Sequence, residues 1–176
     1  MRVISGAHKK RKIKAPKRLK ARPTTDEAKE GLFNILGTQY DFDQIKVLDL
    51  FTGTGNISFE FASRGAIEIL SIDISGFNLR FIKNTALELG MNNIKLRNKD
   101  AFRFLKNCRE GYDIIFADPP YGLKDVDKLP EIVQNNDLLN NNGKLIIEHS
   151  KELDLADKDG FSLLRKYGKV HFSFFE

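Results

Sequence analysis

Cysteine is almost missing from this 176-residue chain: Cys108 stands alone, which excludes a disulfide framework and a cysteine zinc site. Histidine is scarce as well. His8, His149 and His171 lie far apart without ligand spacing, so no metal is expected. No apolar run approaches the roughly 18 residues that a membrane-spanning helix needs. The basic N-terminus is not followed by the apolar core of a secretion signal, and a cytoplasmic location is expected. No internal repeat is present. One further absence is local: the first 22 residues contain neither Asp nor Glu.

Those 22 residues instead carry ten Lys or Arg, which leaves 19 basic against 24 acidic side chains in the other 154. An acidic body with a strongly basic arm suits a polyanionic ligand contacted from one end. Val3-Ile4 and Ile13 flank Gly6 as the two strands of a hairpin would. Pro16 and Pro23 punctuate the stretch. Arg2, Lys9, Lys10, Arg11, Lys12, Arg18 and Arg22 are the candidate nucleic-acid contacts, with a solvated tail as the competing reading. Residues 1–22 are taken as this arm and 23–176 as the main domain. Thr24 with Glu27 three residues on fits a capping box, which predicts a helix to about Leu36 closed by Gly37.

Beyond the arm, strand and helix patterns alternate. Strands are read at 46–50, 68–72, 93–97, 112–117 and 143–148, with helical or loop segments at 56–63, 76–90, 101–107, 125–139 and 151–157. The asparagines around 135–142 read as a loop. Residues 162–166 and 170–175 form a closing hairpin. The 41% hydrophobic content and 14 Phe suffice for a core. This order predicts an α/β, Rossmann-like fold: a mostly parallel seven-stranded sheet with one antiparallel strand near the C-terminus.

Two strand ends carry chemistry. Val47 to Leu50 runs into Phe51-Thr52-Gly53-Thr54-Gly55, a Gly-x-Gly turn before a helix, which is the context of a nucleotide-binding loop. Ser58 stands where the third glycine of the dinucleotide pattern falls. Twenty residues after Gly53, Asp73 closes the next strand and is placed to accept ribose hydroxyls, and Asp100 after the third strand is within reach of an adenine edge. Asp49 just before the turn would repel a pyrophosphate but suits the ammonium or sulfonium of S-adenosylmethionine. The candidate cofactor residues are Asp49, Phe51, Gly53, Gly55, Asp73, Ile74, Asp100 and Ala101.

The other strand end is Asp118-Pro119-Pro120-Tyr121, after the apolar run Tyr112 to Ala117. Neither proline offers an N–H. A carboxylate and stiff carbonyls beside an aromatic face suit a planar amine on an aromatic ring, as in methyl transfer to the exocyclic amine of a nucleobase. The competing reading is an ordinary turn after a strand. Asp118, Pro119 and Tyr121 are the candidate catalytic residues.

The chain resembles the small-subunit (16S) ribosomal RNA guanine-N2 methyltransferase family (RsmD type), of class I fold, over nearly its full length. The resemblance lies in Met1-Arg2-Val3-Ile4-Ser5-Gly6, Arg22-Pro23-Thr24-Thr25-Asp26 with Leu32-Phe33-Asn34, Asp49 to Gly55, Ser63-Arg64-Gly65-Ala66 and Asp118 to Tyr121. Ala7-His8-Lys9-Lys10 and Asn56 depart from the family pattern. The resemblance implies S-adenosylmethionine as cofactor. It implies small-subunit ribosomal RNA as partner, naked or within an assembling 30S particle. An adenine 6-amino methyltransferase and a non-catalytic RNA-binding protein of the same fold stay open as alternatives.

Overall fold

The computed structural model describes residues 1–16, 19 and 24–176; Arg18 and Arg22 of the expected RNA contacts lie outside the described residues. Helix α1 (Asp26–Gly37) starts where Thr25, in extended backbone, accepts the Ala28 N–H on its hydroxyl at 3.2 Å. The expected Thr24–Glu27 capping box is therefore not formed: the cap is Thr25, one residue later, and Ala28 at the third helical position has no polar side chain to return the bond. Thr24 instead turns its hydroxyl to Glu148, donating over 2.7 Å.

The strands are β1 (Lys46–Leu50), β2 (Glu68–Asp73), β3 (Ile94–Asn98), β4 (Tyr112–Ala117), β5 (Leu139–His149), β6 (Phe161–Tyr167) and β7 (Val170–Phe175). They form one sheet in the order β3-β2-β1-β4-β5-β7-β6, in which β7 alone runs opposite to the other six. This is the expected mostly parallel sheet with one antiparallel strand near the C-terminus. The chain order reverses between β1 and β4. The carboxyl ends of those strands therefore border the crevice in which open α/β sheets hold ligands.

Strand periodicity sends alternate residues to two apolar layers. Val47, Ile69, Ile114, Phe116, Ile146 and Phe172 pack with α1 and with α2 (Asn56–Ser63). Leu48, Leu50, Ile115, Ala117, Leu145 and Ile147 pack with α4 (Ala101–Asn107) and α5 (Leu129–Asn135). Helix α3 (Gly76–Leu89) adds Leu79, Ile82 and Ala86 to a third cluster, which also takes Val3 and Ile13 of the arm. No helix among the described residues is long and apolar enough to cross a membrane.

Two segments read as helical or loop take definite form, and one reading, of the asparagines as a loop, is corrected. Residues 125–139 do not form one helix: a short 3₁₀ turn, Val126–Lys128, leads into α5, which stops before Asp137 at φ 51°. Residues 151–157 form turns, because the Asp154 carboxylate takes the Ala156 N–H at 3.0 Å and competes with a helical ladder. Asn140, Asn141 and Asn142 belong to β5, whose register with β4 shifts there, and Asn140 donates to Asp113 at 2.9 Å.

The N-terminal arm folds back on itself with an antiparallel bridge between Arg2 and Lys12, and Val3 and Ile13 are buried. Gly6 sits at φ +81°, and a Cβ there would lie 1.8 Å from the Ser63 carbonyl oxygen. That close approach lets Ala7 donate to the same carbonyl at 2.7 Å and His8 to the Ser63 hydroxyl at 2.9 Å. The opening segment and Ser63-Arg64-Gly65-Ala66, remote in sequence, thus meet at the end of α2.

Candidate active site

Four acids end neighbouring strands with the same parity: Asp49 follows Val47 on β1, Asp73 follows Ile69 by two pleats on β2, Asp118 follows Phe116 and Glu148 follows Ile146. Val47, Ile69, Phe116 and Ile146 all belong to the α1–α2 layer, so the four carboxylates share that side of the sheet at its carboxyl edge. A cavity of about 500 Å³ opens there, within the range of small-molecule sites, and Asp49, Asp73, Asp118, Gly53 and Tyr121 line it.

The turn between β1 and α2 is held tightly. Thr52 donates its backbone N–H to Ile72 at 3.0 Å, and Gly55 donates to Thr52 at 2.8 Å. Phe51 adopts a left-handed backbone at φ 57°, a conformation that costs a non-glycine residue about 1–3 kcal/mol, with its ring edge-on to Phe102. The buried Asp49 carboxylate accepts the hydroxyls of Thr52, at 2.7 Å, and Ser58, and burial raises its pKa to about 6. Ser58, which breaks the dinucleotide pattern, thus joins Thr52 in steadying Asp49.

Asp73 accepts the N–H groups of Gly53 at 2.9 Å and Ser75 at 2.7 Å, and the Asn78 side-chain amide at 3.1 Å. A carboxylate offers about four acceptor positions, so one is left toward the cavity. Asp100 caps α4 by accepting the Arg103 N–H at 2.8 Å, yet it lines the cavity beside Ala101. Ile74 lines it too and is 76% exposed, an apolar surface that a planar ring would cover.

Gly55 is the expected cofactor residue that the structure moves elsewhere. It does not line the cavity. At φ +74° it starts α2, and a Cβ there would stand 2.8 Å from Ile82 Cγ1, so its role is the turn and its packing on α3.

The Asp118 carboxyl is pushed well above the usual carboxylate range, by burial first and then by Glu148 and Asp49. Leu123 closes the loop by donating to the Pro120 carbonyl at 3.0 Å, and Tyr121 stands 66% exposed at the cavity wall. Sequence reasoning missed Thr24, Asn78 and Glu148. Glu148 carried a signal: a charged residue closing the apolar run Leu145-Ile146-Ile147.

Of the arm residues, Arg2 pairs with Asp26 at 3.2 Å and Arg11 with Glu88 at 2.9 Å, while Lys9, Lys10 and Lys12 are exposed. Such surface pairs are worth about 0–1 kcal/mol, so a phosphate can compete for both arginines.

The strand order and the acids at the switch point define a class I methyltransferase fold. The chain belongs to the family described as Conserved hypothetical protein 95, whose model matches residues 1–176. It is 35% identical over 165 residues to "Putative rRNA methyltransferase YlbH" of Bacillus subtilis, covering 91% of this chain and 88% of that protein. It is 28% identical over 179 residues to Ribosomal RNA small subunit methyltransferase D of Buchnera aphidicola, covering 99% and 91%. Among solved structures, the hypothetical protein TTHA0928 of Thermus thermophilus superposes with a TM-score of 0.86 at 23% identity, over 100% of this chain and 99% of that one. SMU.776, described as "a putative methyltransferase complexed with SAH", superposes at 0.61 with 19% identity, over 74% and 44%.

Proposed function

We infer that this protein transfers a methyl group from S-adenosylmethionine to the exocyclic 2-amino group of a guanine in small-subunit ribosomal RNA. The observation that carries the reading is the Asp118 carboxyl, held at a strand end beside an exposed aromatic and within the cavity that Asp49 and Asp73 share. The relatives named as small-subunit ribosomal RNA methyltransferases support the substrate class.

The residues present fit the cofactor. Asp73 has an acceptor position for a ribose hydroxyl, Asp100 and the apolar Ile74 and Ala101 suit the adenine, and Asp49 with Gly53 suits the amino-acid end. S-adenosylmethionine supplies an electrophilic methyl on a sulfonium. Asp118 and the Pro119 carbonyl accept the two N–H groups of the guanine 2-amine, which favours a pyramidal nitrogen with its lone pair aimed at that methyl. Such positioning is worth up to about 7–11 kcal/mol of the barrier. As the N–C bond forms and the S–C bond breaks, the nitrogen proton becomes acidic. A carboxylate with a raised pKa is then a better acceptor for it than an ordinary aspartate. Tyr121 stacks on the base once it leaves its own stack. The exposed Lys9, Lys10 and Lys12 engage phosphates, which the acidic body repels.

The test is transfer of tritiated methyl from S-adenosylmethionine to small-subunit RNA, alone and with small-subunit proteins. Incorporation into guanosine of either substrate supports the reading. Stabilisation by the cofactor with no transfer to either points to an RNA-binding protein that has kept the fold.

A further inference from the structure

A second cavity, of about 260 Å³, shares the Asp118-Pro119-Pro120-Tyr121 wall with the first and is lined by Glu148 as well. Asp125, Asp127 and Glu152 also line it. Asp125 pairs with Lys128 at 2.6 Å and Asp127 with Lys158 at 3.5 Å, and His149 lines the cavity as well. The carboxylates of Asp118 and Glu148, at adjacent strand ends, suit a ligand edge made of N–H donors. Glu148 is 8% exposed and held in place, since the Thr24 hydroxyl donates to its Oε2 at 2.7 Å. The Thr24 carbonyl is itself anchored, accepting from the Asn56 amide at 3.1 Å. Strands β4 and β5 pair Ala117 with Ile147, so Asp118 and Glu148 are the next residues of adjacent parallel strands, on the same side of the sheet.

We propose that Glu148 selects the target base, its carboxylate accepting the N1–H of guanine while Asp118 and Pro119 hold the neighbouring 2-amine. The inference rests on the guanine-N2 reading above. Guanine presents N1–H and the 2-amino group side by side, a row of donors that matches two carboxylates on adjacent strands. Adenine presents an acceptor, its own N1, beside its 6-amino group, and that lone pair would face the Glu148 carboxylate. Bases taken out of the stack are read on this edge. A site that sets a carboxylate oxygen against a substrate N–H discriminates against an analogue with a lone pair there, because two acceptors then face each other. Thr24 is a positioning residue, acting through Glu148.

The probe is small-subunit RNA assembled with its proteins and ligated to carry either guanine or 2-aminopurine at the nucleotide that the wild-type enzyme methylates. 2-Aminopurine keeps the 2-amino group, replaces N1–H by a lone pair and lacks the 6-oxygen, so the change in preference between wild type and variant is the quantity that reports on Glu148. Wild type should prefer guanine by roughly 10²-fold or more in kcat/KM. Glu148→Gln keeps an oxygen for the Thr24 hydroxyl and turns an amide N–H toward the base, so the preference should fall to within a few-fold or reverse, with S-adenosylmethionine affinity little changed. Thr24→Val should lower the same ratio by a smaller factor and is the deciding variant if Glu148→Gln does not fold. An unchanged ratio in the folded variant overturns this inference alone. A wild-type product methylated on adenine overturns the guanine reading first.

Discussion

The Lys29 ammonium lies 3.2 Å from the Glu60 carboxylate, with both side chains essentially shielded from water. Lys29 also donates to the Arg2 carbonyl and, at 2.9 Å, to Asn56. Glu60 accepts the N–H groups of Ile4 at 2.8 Å and Ser5 at 3.0 Å, and Arg64 at 2.8 Å. The pair therefore docks the arm onto α1 and α2. Asn56, a departure from the family pattern, connects it to Thr24 at the cavity wall. Burial lowers the Lys29 pKa, and Glu60 partly offsets this.

Removing one partner of a buried pair leaves the other charge uncompensated. Lys29→Ala is expected to cost about 3–5 kcal/mol of stability, read as a fall in the urea midpoint. A loss below about 1 kcal/mol would mean that Val3 and Ile13 hold the arm without the pair.

Asp118→Ala should leave S-adenosylmethionine binding within a few-fold of wild type but lower kcat by roughly 10²–10³, the cost of one transition-state hydrogen-bond partner. Asp73→Ala should act the other way, raising the KM for the methyl donor more than it lowers kcat. Steady-state kinetics with calorimetry separates the two, and near-normal turnover for Asp118→Ala would reduce its motif to a turn.

The Asp49 pKa, raised to about 6, sets a pH window for cofactor binding. A cationic ligand favours the ionised carboxylate, so affinity should be full above about pH 7. Below about pH 6 it should weaken, approaching tenfold per unit as the folded protein takes up a proton there. Calorimetric titration of S-adenosylmethionine from pH 5 to 8 measures this, and Asp49→Asn should flatten the profile.

Much of the fold was legible because its signals are local. Apolar runs marked the strands, and the Gly-x-Gly turn and Asp118 marked two edges of the cavity. What escaped depends on long-range partners. Nothing near Thr24 indicates that its hydroxyl serves Glu148, 124 residues away, rather than the helix one residue later. Gly55 looked like a cofactor residue because its packing partner, Ile82, lies on another helix. The asparagines of β5 read as a loop because they lie where its register with β4 shifts, between the pairs Tyr112–Leu139 and Ile114–Lys144, and such an irregularity shows no apolar alternation.

The arm is similarly tied to distant residues, which decides how its charge should be tested. Truncation would remove Val3 and Ile13 from the cluster with Phe59, Leu79 and Ile82. Replacing Lys9, Lys10 and Lys12 by Ala leaves that packing in place. RNA affinity should fall, and the slope of log K against log salt should drop by roughly 0.7–0.9 for each phosphate that is no longer neutralised. An unchanged slope in filter binding from low to high salt would place the RNA surface elsewhere.

The most direct measurement of the central claim is nucleoside analysis of small-subunit RNA after incubation with the protein and isotopically labelled S-adenosylmethionine. The RNA is digested and its methylated nucleosides resolved by mass spectrometry. N2-methylguanosine carrying the label, formed by wild type and absent with Asp118→Ala, is the predicted result. Label in N6-methyladenosine, or none in RNA presented naked and with small-subunit proteins, would contradict it.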